Sequence, residues 1–341
     1  MHAIRLHAFG PAENLTYEET TDPVPAPGQV RIRVAAAGVH LLDTALRLGH
    51  PGPFPAPAEL PTIPGREVAG TVDALGEGTD PSWLGKRVVA HLGMVLGAPP
   101  RRSSGGGYAE LAVTDAARLH ALPGHLGEAE AVAMIGTGRT TLGILQFTEL
   151  GPDSIAIVPA AAGGIGTLLV QYAKNAGATV VGLAGGPAKV ALVEANGADL
   201  AVDYKEPDWP EKVRAHLGGR SATVVFDSVG GDTGRAAVDL LGKGGQHVVF
   251  GWSSAGLHDG EPLTFTPEEL AERGITSESV LGPVMLQKAG GDVRNLELAA
   301  LAAATDGSLR PAIHRFPLAD AAKAHRALET RGTTGKVVLI P

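Results

Sequence analysis

The sequence contains no cysteine. Disulfide bonds, a thiolate nucleophile and a cysteine-ligated zinc site are therefore all excluded. The sequence also lacks a charged start followed by a long apolar core, and no apolar run approaches the length that spans a membrane. We therefore predict a soluble, cytoplasmic protein.

No block of lysine and arginine is present, and no stripe of aromatic residues alternates with basic ones. The 28 Lys and Arg residues against 36 Asp and Glu residues give a formal net charge of −8. This balance argues against a nucleic-acid or membrane-surface partner. The 47 glycines and 25 prolines are dispersed between apolar runs, which indicates many turns rather than disorder.

The chain of 341 residues exceeds the usual size of one compact core, so we expect two domains. Residues 1–127 contain short apolar runs separated by proline and glycine, which predicts a β-rich domain with one helix over 41–48. Over 128–280, strand and helix patterns alternate, which predicts a parallel sheet with helices on both faces. Residues 281–341 break this alternation, so we expect them to return to the first domain.

One stretch of the alternating part carries a binding motif. An apolar run at 155–158 leads into AAAGGIG at 160–166, and a helical pattern follows directly. A strand that enters a helix through a turn of small residues lets a pyrophosphate approach the backbone N–H groups of the helix start. The motif predicts a dinucleotide site, with Ala160 at the first of the usual glycine positions and Gly163 and Gly166 at the others. A glycine-rich turn that serves only close packing is the alternative.

The end of the next strand indicates which dinucleotide binds. NAD sites carry an acidic side chain there that bonds the ribose 2′-hydroxyl, whereas this sequence has Ala184, Gly185 and Gly186. Lys189 follows within one helical turn, and Tyr204 comes just after the third strand, so both are placed to bind a 2′-phosphate. We therefore predict NADPH, with a solvated lysine that binds nothing as the alternative for Lys189.

Several segments are typical of one protein family. They are AAGVHLLDTALRLG at 36–49, IPGREVAGTVDALGEG at 63–78, GKRVVA at 85–90, GGYAEL at 106–111, AAAGGIGTLLVQYAK at 160–174, VVFDSVGG at 224–231 and GTTGKVVLIP at 332–341. Together they resemble the zinc-independent quinone oxidoreductases of the medium-chain dehydrogenase/reductase superfamily. The resemblance implies an α/β protein with a Rossmann doubly wound parallel sheet domain and a chaperonin-10-like (GroES-like) β-rich catalytic domain. It also implies a cofactor cleft between the two domains, and a homodimer formed through the sheets of the nucleotide-binding domains.

The resemblance further implies which residues contact the cofactor. The pyrophosphate would be held by Gly163, Gly164 and Ile165, with Ala162 before them, and the 2′-phosphate by Lys189 and Tyr204 beside Gly185. The nicotinamide end would be contacted by Thr140, and the ring pocket would be lined by Phe250, Gly251 and Trp252. The family position that matches Ala160 is itself commonly alanine.

Zinc-dependent members of the superfamily bind a catalytic metal through a Cys, a His and a further Cys. Here His40 and Arg66 hold the first two places, so we predict no metal site. The resemblance places His40, Asp43 and Arg66 where the family's chemistry occurs. His40 would donate a hydrogen bond or a proton to a substrate carbonyl, oriented by Asp43 three residues along the same helix face. The alternatives are a helix-start histidine satisfied by Asp43, and an Arg66 that pairs with Glu67 or Asp43 instead of binding a substrate oxygen.

Tyr108 and His50 are weaker candidates for lining the mouth of the substrate site, and the segment 94–106 acts either as a lid or as a surface loop. The sequence therefore predicts an NADPH-dependent, metal-free oxidoreductase that transfers hydride to a quinone or an α,β-unsaturated carbonyl. An alcohol dehydrogenase-type carbonyl reductase and a non-catalytic, crystallin-like NADPH-binding protein are the alternatives.

Overall fold

A computed structural model of the chain describes residues 1–50, 58–92, 106–256 and 260–341. Of the predicted insertion at 94–106, only Gly106 is among them. No helix in these ranges is long and apolar enough to cross a membrane. The elements in chain order are β1 (His2–Leu6), β2 (Leu15–Glu19), β3 (Gln29–Gly38), α1 (Leu41–Leu48), β4 (Glu67–Leu75), β5 (Arg87–His91), β6 (Leu111–Asp115), β7 (His120–Ala121), α2 (Glu128–Ala133), α3 (Arg139–Leu145), β8 (Ile155–Val158), α4 (Gly164–Asn175), β9 (Thr179–Ala184), α5 (Pro187–Ala195), β10 (Leu200–Asp203), α6 (Trp209–Leu217), β11 (Ala222–Asp227), α7 (Gly231–Val238), β12 (Leu241–Val249), α8 (Pro267–Arg273), β13 (Thr276–Ser279), α9 (Pro283–Lys288), α10 (Arg294–Thr305), β14 (Ile313–Pro317), α11 (Ala321–Glu329) and β15 (Lys336–Ile340).

The chain forms two compact units, Met1–Gly136 with Ala312–Pro341, and Thr137–Pro311. The domain limits expected from the sequence fell at 127/128 and 280/281. The chain returns to the first unit only after α9 and α10, because both helices pack against α3 of the second unit. An ion pair of 3.0 Å between Arg139 of α3 and Glu297 of α10 adds to this packing.

The first unit is β-rich, as the sequence predicted. Among the described residues, one sheet has the order β14-β15-β3-β4-β5-β7, with β6 also paired to β3, and β1 pairs with β2. The inward side chains of these strands form one hydrophobic core, which includes Ile32, Val68 and Leu339. The helix predicted over 41–48 is confirmed as α1. It ends at Gly49, whose φ of 82° lies in the left-handed region that glycine adopts without strain.

The second unit has a sheet of parallel strands in the order β10-β9-β8-β11-β12-β13. This confirms the predicted doubly wound α/β fold. The strand order reverses between β8 and β11, and in open α/β sheets ligands bind beyond the carboxyl ends of the strands at such a switch point. Apolar side chains cover both faces of the sheet, with Ile157 and Val225 in one core and Ala156 and Phe226 in the other.

The connection between α2 and α3 is a special kind of helical turn. Residues Met134–Gly138 make a π-helical turn between α2 and α3. Such turns insert an extra residue into a helix and occur often at functional sites.

Candidate active site

The glycine-rich turn joins β8 to α4 through an unusual backbone. Ala160 has a φ of 52°, a left-handed conformation that costs an alanine about 1 kcal/mol. Gly166 is required by close packing, because a Cβ atom there would lie 2.4 Å from the Ala160 carbonyl oxygen. Gly163 caps α4 without a side-chain hydrogen bond, and the first turn of the helix carries no acidic residue. The first N–H groups of a helix have no acceptor within it, so this turn fits an anionic pyrophosphate.

The end of β9 brings together residues predicted to bind the 2′-phosphate. A Cβ atom on Gly185 would lie 2.6 Å from the Tyr204 hydroxyl, so the tyrosine packs directly over the glycine. The Tyr204 backbone N–H donates to the Ala184 carbonyl over 3.1 Å, which holds the Tyr204 backbone beside the end of β9. Lys189 is partly buried in the first turn of α5. The structure therefore places a hydroxyl next to Gly185 and a cation on the adjacent helix.

Lys205 is a further cation at this place that the sequence interpretation missed. Its Cε atom lies 3.4 Å from the Cβ position of Gly185, and its side chain is exposed. The neighbouring Asp203 accepts the Lys205 backbone N–H over 3.0 Å. This hydrogen bond lowers the pKa of the Asp203 carboxyl, and a second one from the Gly186 backbone lowers it further. Asp203 thus ties the end of β10 to the turn that follows β9. The only sequence signal for Lys205 was its position beside Tyr204.

The residues predicted around the nicotinamide follow β12 and begin α3. The Phe250 side chain is buried in the core of the second unit, whereas Trp252 is 39% exposed. A Cβ atom on Gly251 would lie 2.9 Å from the Ser228 carbonyl oxygen, so the loops after β11 and β12 touch there. Thr140 is partly buried in the first turn of α3.

The three candidate catalytic residues lie together in the first unit, at the start of α1. His40 is the N-cap, and its Nδ1 accepts the Leu42 backbone N–H over 3.0 Å. A neutral imidazole that accepts through Nδ1 carries its proton on Nε2. Asp43 Oδ2 accepts the His40 backbone N–H over 2.8 Å, which completes a capping box. Asp43 therefore fixes His40 through the His40 backbone N–H, as in the alternative of a helix-start histidine satisfied by Asp43.

Arg66 pairs with Asp43, one of the two partners that the sequence allowed. Arg66 Nε lies 3.1 Å from Asp43 Oδ1, and the two side chains are 11% and 1% exposed. Glu67 instead pairs with Lys336 at 2.5 Å, also in the interior. Two glycines make room for the Glu67 carboxylate, since a Cβ atom on Gly38 or Gly136 would lie within 2.3 Å of one of its oxygens.

Tyr108 is fully buried, so it does not line a substrate mouth as the sequence suggested. Its hydroxyl donates to Asp43 Oδ2 over 3.1 Å and lies 3.0 Å from Nε2 of His325. Burial raises the pKa of the Tyr108 hydroxyl well above its usual range, and the Asp43 charge raises it further. Tyr108 therefore stays protonated. His50, the other weak candidate, is exposed after the end of α1.

His325 is the last member of this chain of polar groups. Burial lowers the pKa of His325 to about 4, Asp43 opposes the shift and Arg47 adds to it. The neutral ring donates its Nε2–H to the Tyr108 oxygen, because the tyrosine proton is given to Asp43. Nδ1 of His325 is buried, and no hydrogen-bond partner for it lies among the described residues.

The side chains around the start of α1 do not fit a zinc ion as ligands. Asp43 already accepts from three groups, Arg66 brings a positive charge, and His40 uses Nδ1 within α1. A catalytic zinc site needs three protein ligands with open donor atoms. In the ranges that the structure describes, no group of three His, Cys, Asp or Glu side chains is arranged to hold a metal.

Comparison with known proteins agrees with this architecture. Residues 26–124 match the family described as "Alcohol dehydrogenase GroES-like domain", and residues 164–289 match "Zinc-binding dehydrogenase". The chain is 32% identical to a 2-haloacrylate reductase of Burkholderia sp over 98% of both proteins. It is also 32% identical to quinone oxidoreductase 1 of Escherichia coli K12 over 99% of both.

A solved structure is similar over the same extent. The crystal structure of Escherichia coli quinone oxidoreductase complexed with NADPH has a TM-score of 0.81 and 28% identity, and it covers 100% of both chains. The match therefore includes the β-rich unit, the parallel sheet and the return of the chain to the first unit. The protein belongs to the quinone oxidoreductase family of the medium-chain dehydrogenase/reductase superfamily and is an oxidoreductase.

Proposed function

We propose that the protein is an NADPH-dependent reductase that transfers hydride to a quinone or an α,β-unsaturated carbonyl compound without a metal ion. The observation that carries this proposal is the group of side chains around Gly185. The Tyr204 hydroxyl and the Lys205 side chain lie against this glycine, and Lys189 is on the adjacent helix. A hydroxyl and two cations match a 2′-phosphate, which distinguishes NADPH from NADH.

The remaining cofactor contacts follow the turn before α4. We propose that Ala162, Gly163, Gly164 and Ile165 hold the pyrophosphate at the helix start, where the helix dipole stabilises it. The Gly163 N–H itself donates to the Ala160 carbonyl over 2.9 Å and keeps the turn closed. Thr140, Phe250, Gly251 and Trp252 are proposed to surround the nicotinamide. The Escherichia coli relative with the same fold binds NADPH, which supports this arrangement.

His40 is the proposed proton or hydrogen-bond donor to the substrate. Because Nδ1 accepts from the Leu42 N–H, a neutral imidazole carries its proton on Nε2. We propose that this N–H donates to the carbonyl oxygen of the substrate. Bound NADPH supplies the hydride. As charge builds up on the oxygen, a donor of this kind stabilises it.

Asp43 and Arg66 act on His40 by positioning it. Asp43 holds the His40 backbone N–H, and Arg66 and Tyr108 hold the Asp43 carboxylate from two further sides. A buried carboxylate needs such partners to stay ionised and fixed. The group therefore keeps the start of α1 in one conformation.

The substrate class rests on the relatives. Their names include quinone oxidoreductase and 2-haloacrylate reductase, and a 2-haloacrylate is an α,β-unsaturated acid. Quinones and such acids share an electron-poor double bond conjugated to a carbonyl group. The homodimer and the cytoplasmic location stay predictions.

A screen of acceptors tests the proposal. Purified protein is mixed with NADPH or NADH and a panel of quinones, enones and 2-haloacrylates, and the loss of reduced nicotinamide absorbance is followed. We expect turnover with at least one acceptor, a lower KM for NADPH than for NADH, and no effect of a chelator. Tight NADPH binding with no turnover on the whole panel would contradict the proposal and favour a non-catalytic protein.

A further inference from the structure

A second buried polar group lies in the other unit, beneath the loops that follow β11 and β12. Asp227, the last residue of β11, and His247 of β12 are both without side-chain exposure. His247 Nε2 lies 3.1 Å from Asp227 Oδ2. On the other side of the ring, Nδ1 lies 2.8 Å from the hydroxyl of Ser277 in β13.

The other oxygen of Asp227 holds the loop after β11. Oδ1 accepts the backbone N–H groups of Val229 and Gly230 over 2.8 and 2.9 Å. That loop in turn bonds the loop after β12, since Ser254 donates its backbone N–H to the Val229 carbonyl over 2.8 Å. Ser253 donates to the Ser228 carbonyl in the same way. Gly251 lies against Ser228, as described above.

His247 also contacts a third segment that approaches these loops. The Phe265 ring meets the imidazole edge to face, with 5.7 Å between ring centroids. Arg235 and Arg273 lie 5.0 and 5.5 Å from the centroid of the Phe265 ring, which fixes it in place. Earlier in this segment, the chain is close to Trp252, because a Cβ atom on Gly260 would lie 2.1 Å from the Trp252 carbonyl oxygen.

The residue types match those of a hydrolytic triad, but the geometry does not allow that reaction. Asp227 and the imidazole are fully enclosed, and a Cβ atom on Gly234 of α7 would lie 2.6 Å from Asp227 Oδ2. A substrate therefore cannot reach the ring. The group joins β11, β12, β13 and the segment before α8. Two of these four, β11 and β12, lead directly into the loops at 228–230 and 250–254.

We propose that Asp227 and His247 are positioning residues of the nicotinamide pocket. Asp227 fixes the conformation of the loop at 228–230 by accepting two of its backbone N–H groups. His247 fixes the orientation of the Asp227 carboxylate. Ser277 and Phe265 hold the imidazole in the orientation that presents Nε2 to the carboxylate. This inference rests on the proposed function, because it takes the loop at 250–252 as the wall of the ring pocket.

The expected effect of losing His247 is local. An apolar side chain there leaves Asp227 Oδ2 buried without its partner, which disfavours the folded arrangement of the loop. The turn before α4 and the residues around Gly185 belong to β8, β9 and β10 and share no hydrogen bond with this group among those described above. The loss of His247 should therefore weaken binding of the nicotinamide half of the cofactor and leave binding of the adenine half unchanged.

Calorimetric titration of the full-length protein with two ligands tests this. NADPH reports on the whole site, and adenosine 2′,5′-bisphosphate, which has no nicotinamide, reports on the adenine half. For His247→Leu we expect the Kd of NADPH to rise about tenfold and that of the bisphosphate to change less than about twofold. His247→Gln, whose amide can still donate to Asp227, should recover most of the NADPH affinity. Ser277→Ala should shift NADPH binding in the same direction by a smaller factor.

Thr148→Val is the matched control. The Thr148 hydroxyl donates to Gln246 Oε1 over 2.6 Å, and Gln246 is the neighbour of His247 on β12. This variant should leave both affinities unchanged. A parallel loss of both ligands in the His247 and Ser277 variants would overturn the proposal in favour of a general structural role, and so would unchanged NADPH binding. If His247→Leu does not fold, the Gln and Ser277 variants decide the question alone. Wild-type protein that binds neither ligand would instead overturn the proposed function, and this inference with it.

Discussion

The Tyr108 hydroxyl donates a hydrogen bond to Asp43 Oδ2 over 3.1 Å, entirely inside the first unit. Asp43 in turn accepts the backbone N–H of His40 at the start of α1. Tyr108, which is 65 residues further along the chain than Asp43, therefore supports the candidate catalytic histidine. His325, on the other side of the tyrosine, extends this support to α11. The interior of the β-rich unit thus contains a continuous chain of polar contacts from α11 to the start of α1.

Replacing Tyr108 with Phe should destabilise the protein by about 1–3 kcal/mol, because it leaves Asp43 and His325 each short of a buried partner. The free energy of unfolding is measured by urea denaturation. Tyr17→Phe is the control, since that side chain is 41% exposed on β2 and should change stability little. Equal stability of the Tyr108 variant and the wild type would mean that the hydroxyl contributes nothing to the fold.

Stability should depend on pH through His325. Because the pKa of His325 is about 4 in the folded protein against 6.5 for an ordinary histidine, the unfolded chain takes up a proton first as the pH falls. The free energy of unfolding should therefore be level above pH 6.5 and fall between 6.5 and 4, by about 3 kcal/mol from this group.

His325→Gln should remove this part of the pH dependence, whereas His2→Gln, at a histidine that is 48% exposed, should leave it unchanged. Urea denaturation at about pH 7 and about pH 4.5 gives the comparison. A His325 variant with the pH dependence of the wild type would show that the buried imidazole is not its source.

Lys205→Ala should raise the KM for NADPH about tenfold, with kcat and the KM for NADH nearly unchanged, because a charge-assisted contact to the 2′-phosphate is lost. Steady-state kinetics with both cofactors measures this. Lys212→Ala removes the same charge from an exposed position on α6 where Lys212 pairs with Glu206 and Asp208, and it should have no such effect. Equal losses with NADPH and NADH would place Lys205 away from the 2′-phosphate.

His40→Ala should lower kcat about 100-fold while the Kd for NADPH changes less than about twofold, since a general acid or hydrogen-bond donor acts on the substrate. His40→Asn keeps both a helix cap and an N–H donor, so it should lose much less activity. Turnover of the Ala variant equal to that of the wild type would rule out the proposed role.

Local patterns in the sequence were sufficient for much of the fold. The spacing of apolar residues gave α1, and Gly49 marked its end, because both signals depend on neighbours within two helical turns. The alternation of strand and helix predicted the parallel sheet for a similar reason, because each strand and each helix is a short segment with its own local pattern. The helix α6 fits this alternation, since its buried side chains Trp209, Val213 and Leu217 recur at the four-residue spacing of one helix face.

The candidate sites depend on contacts that local patterns do not contain. Asp43 meets Tyr108 across 65 positions of sequence, and Tyr108 meets His325 across 217. The same holds for Lys205, which reaches Gly185 only because β10 lies beside β9. Residue types and spacing indicated that Asp43 supports His40, but the contact of its carboxylate with the His40 backbone N–H depends on the geometry of the capping box.

The transfer of deuterium from NADPH labelled at the reactive C4 position tests the central claim most directly. The wild-type protein is incubated with the labelled cofactor, a chelator and an enone or 2-haloacrylate that turns over, and the product is analysed by mass spectrometry. Direct hydride transfer predicts one deuterium on the β-carbon of the product, at the same level with and without the chelator. Consumption of NADPH with no deuterium in the product, or activity abolished by the chelator, would contradict the account.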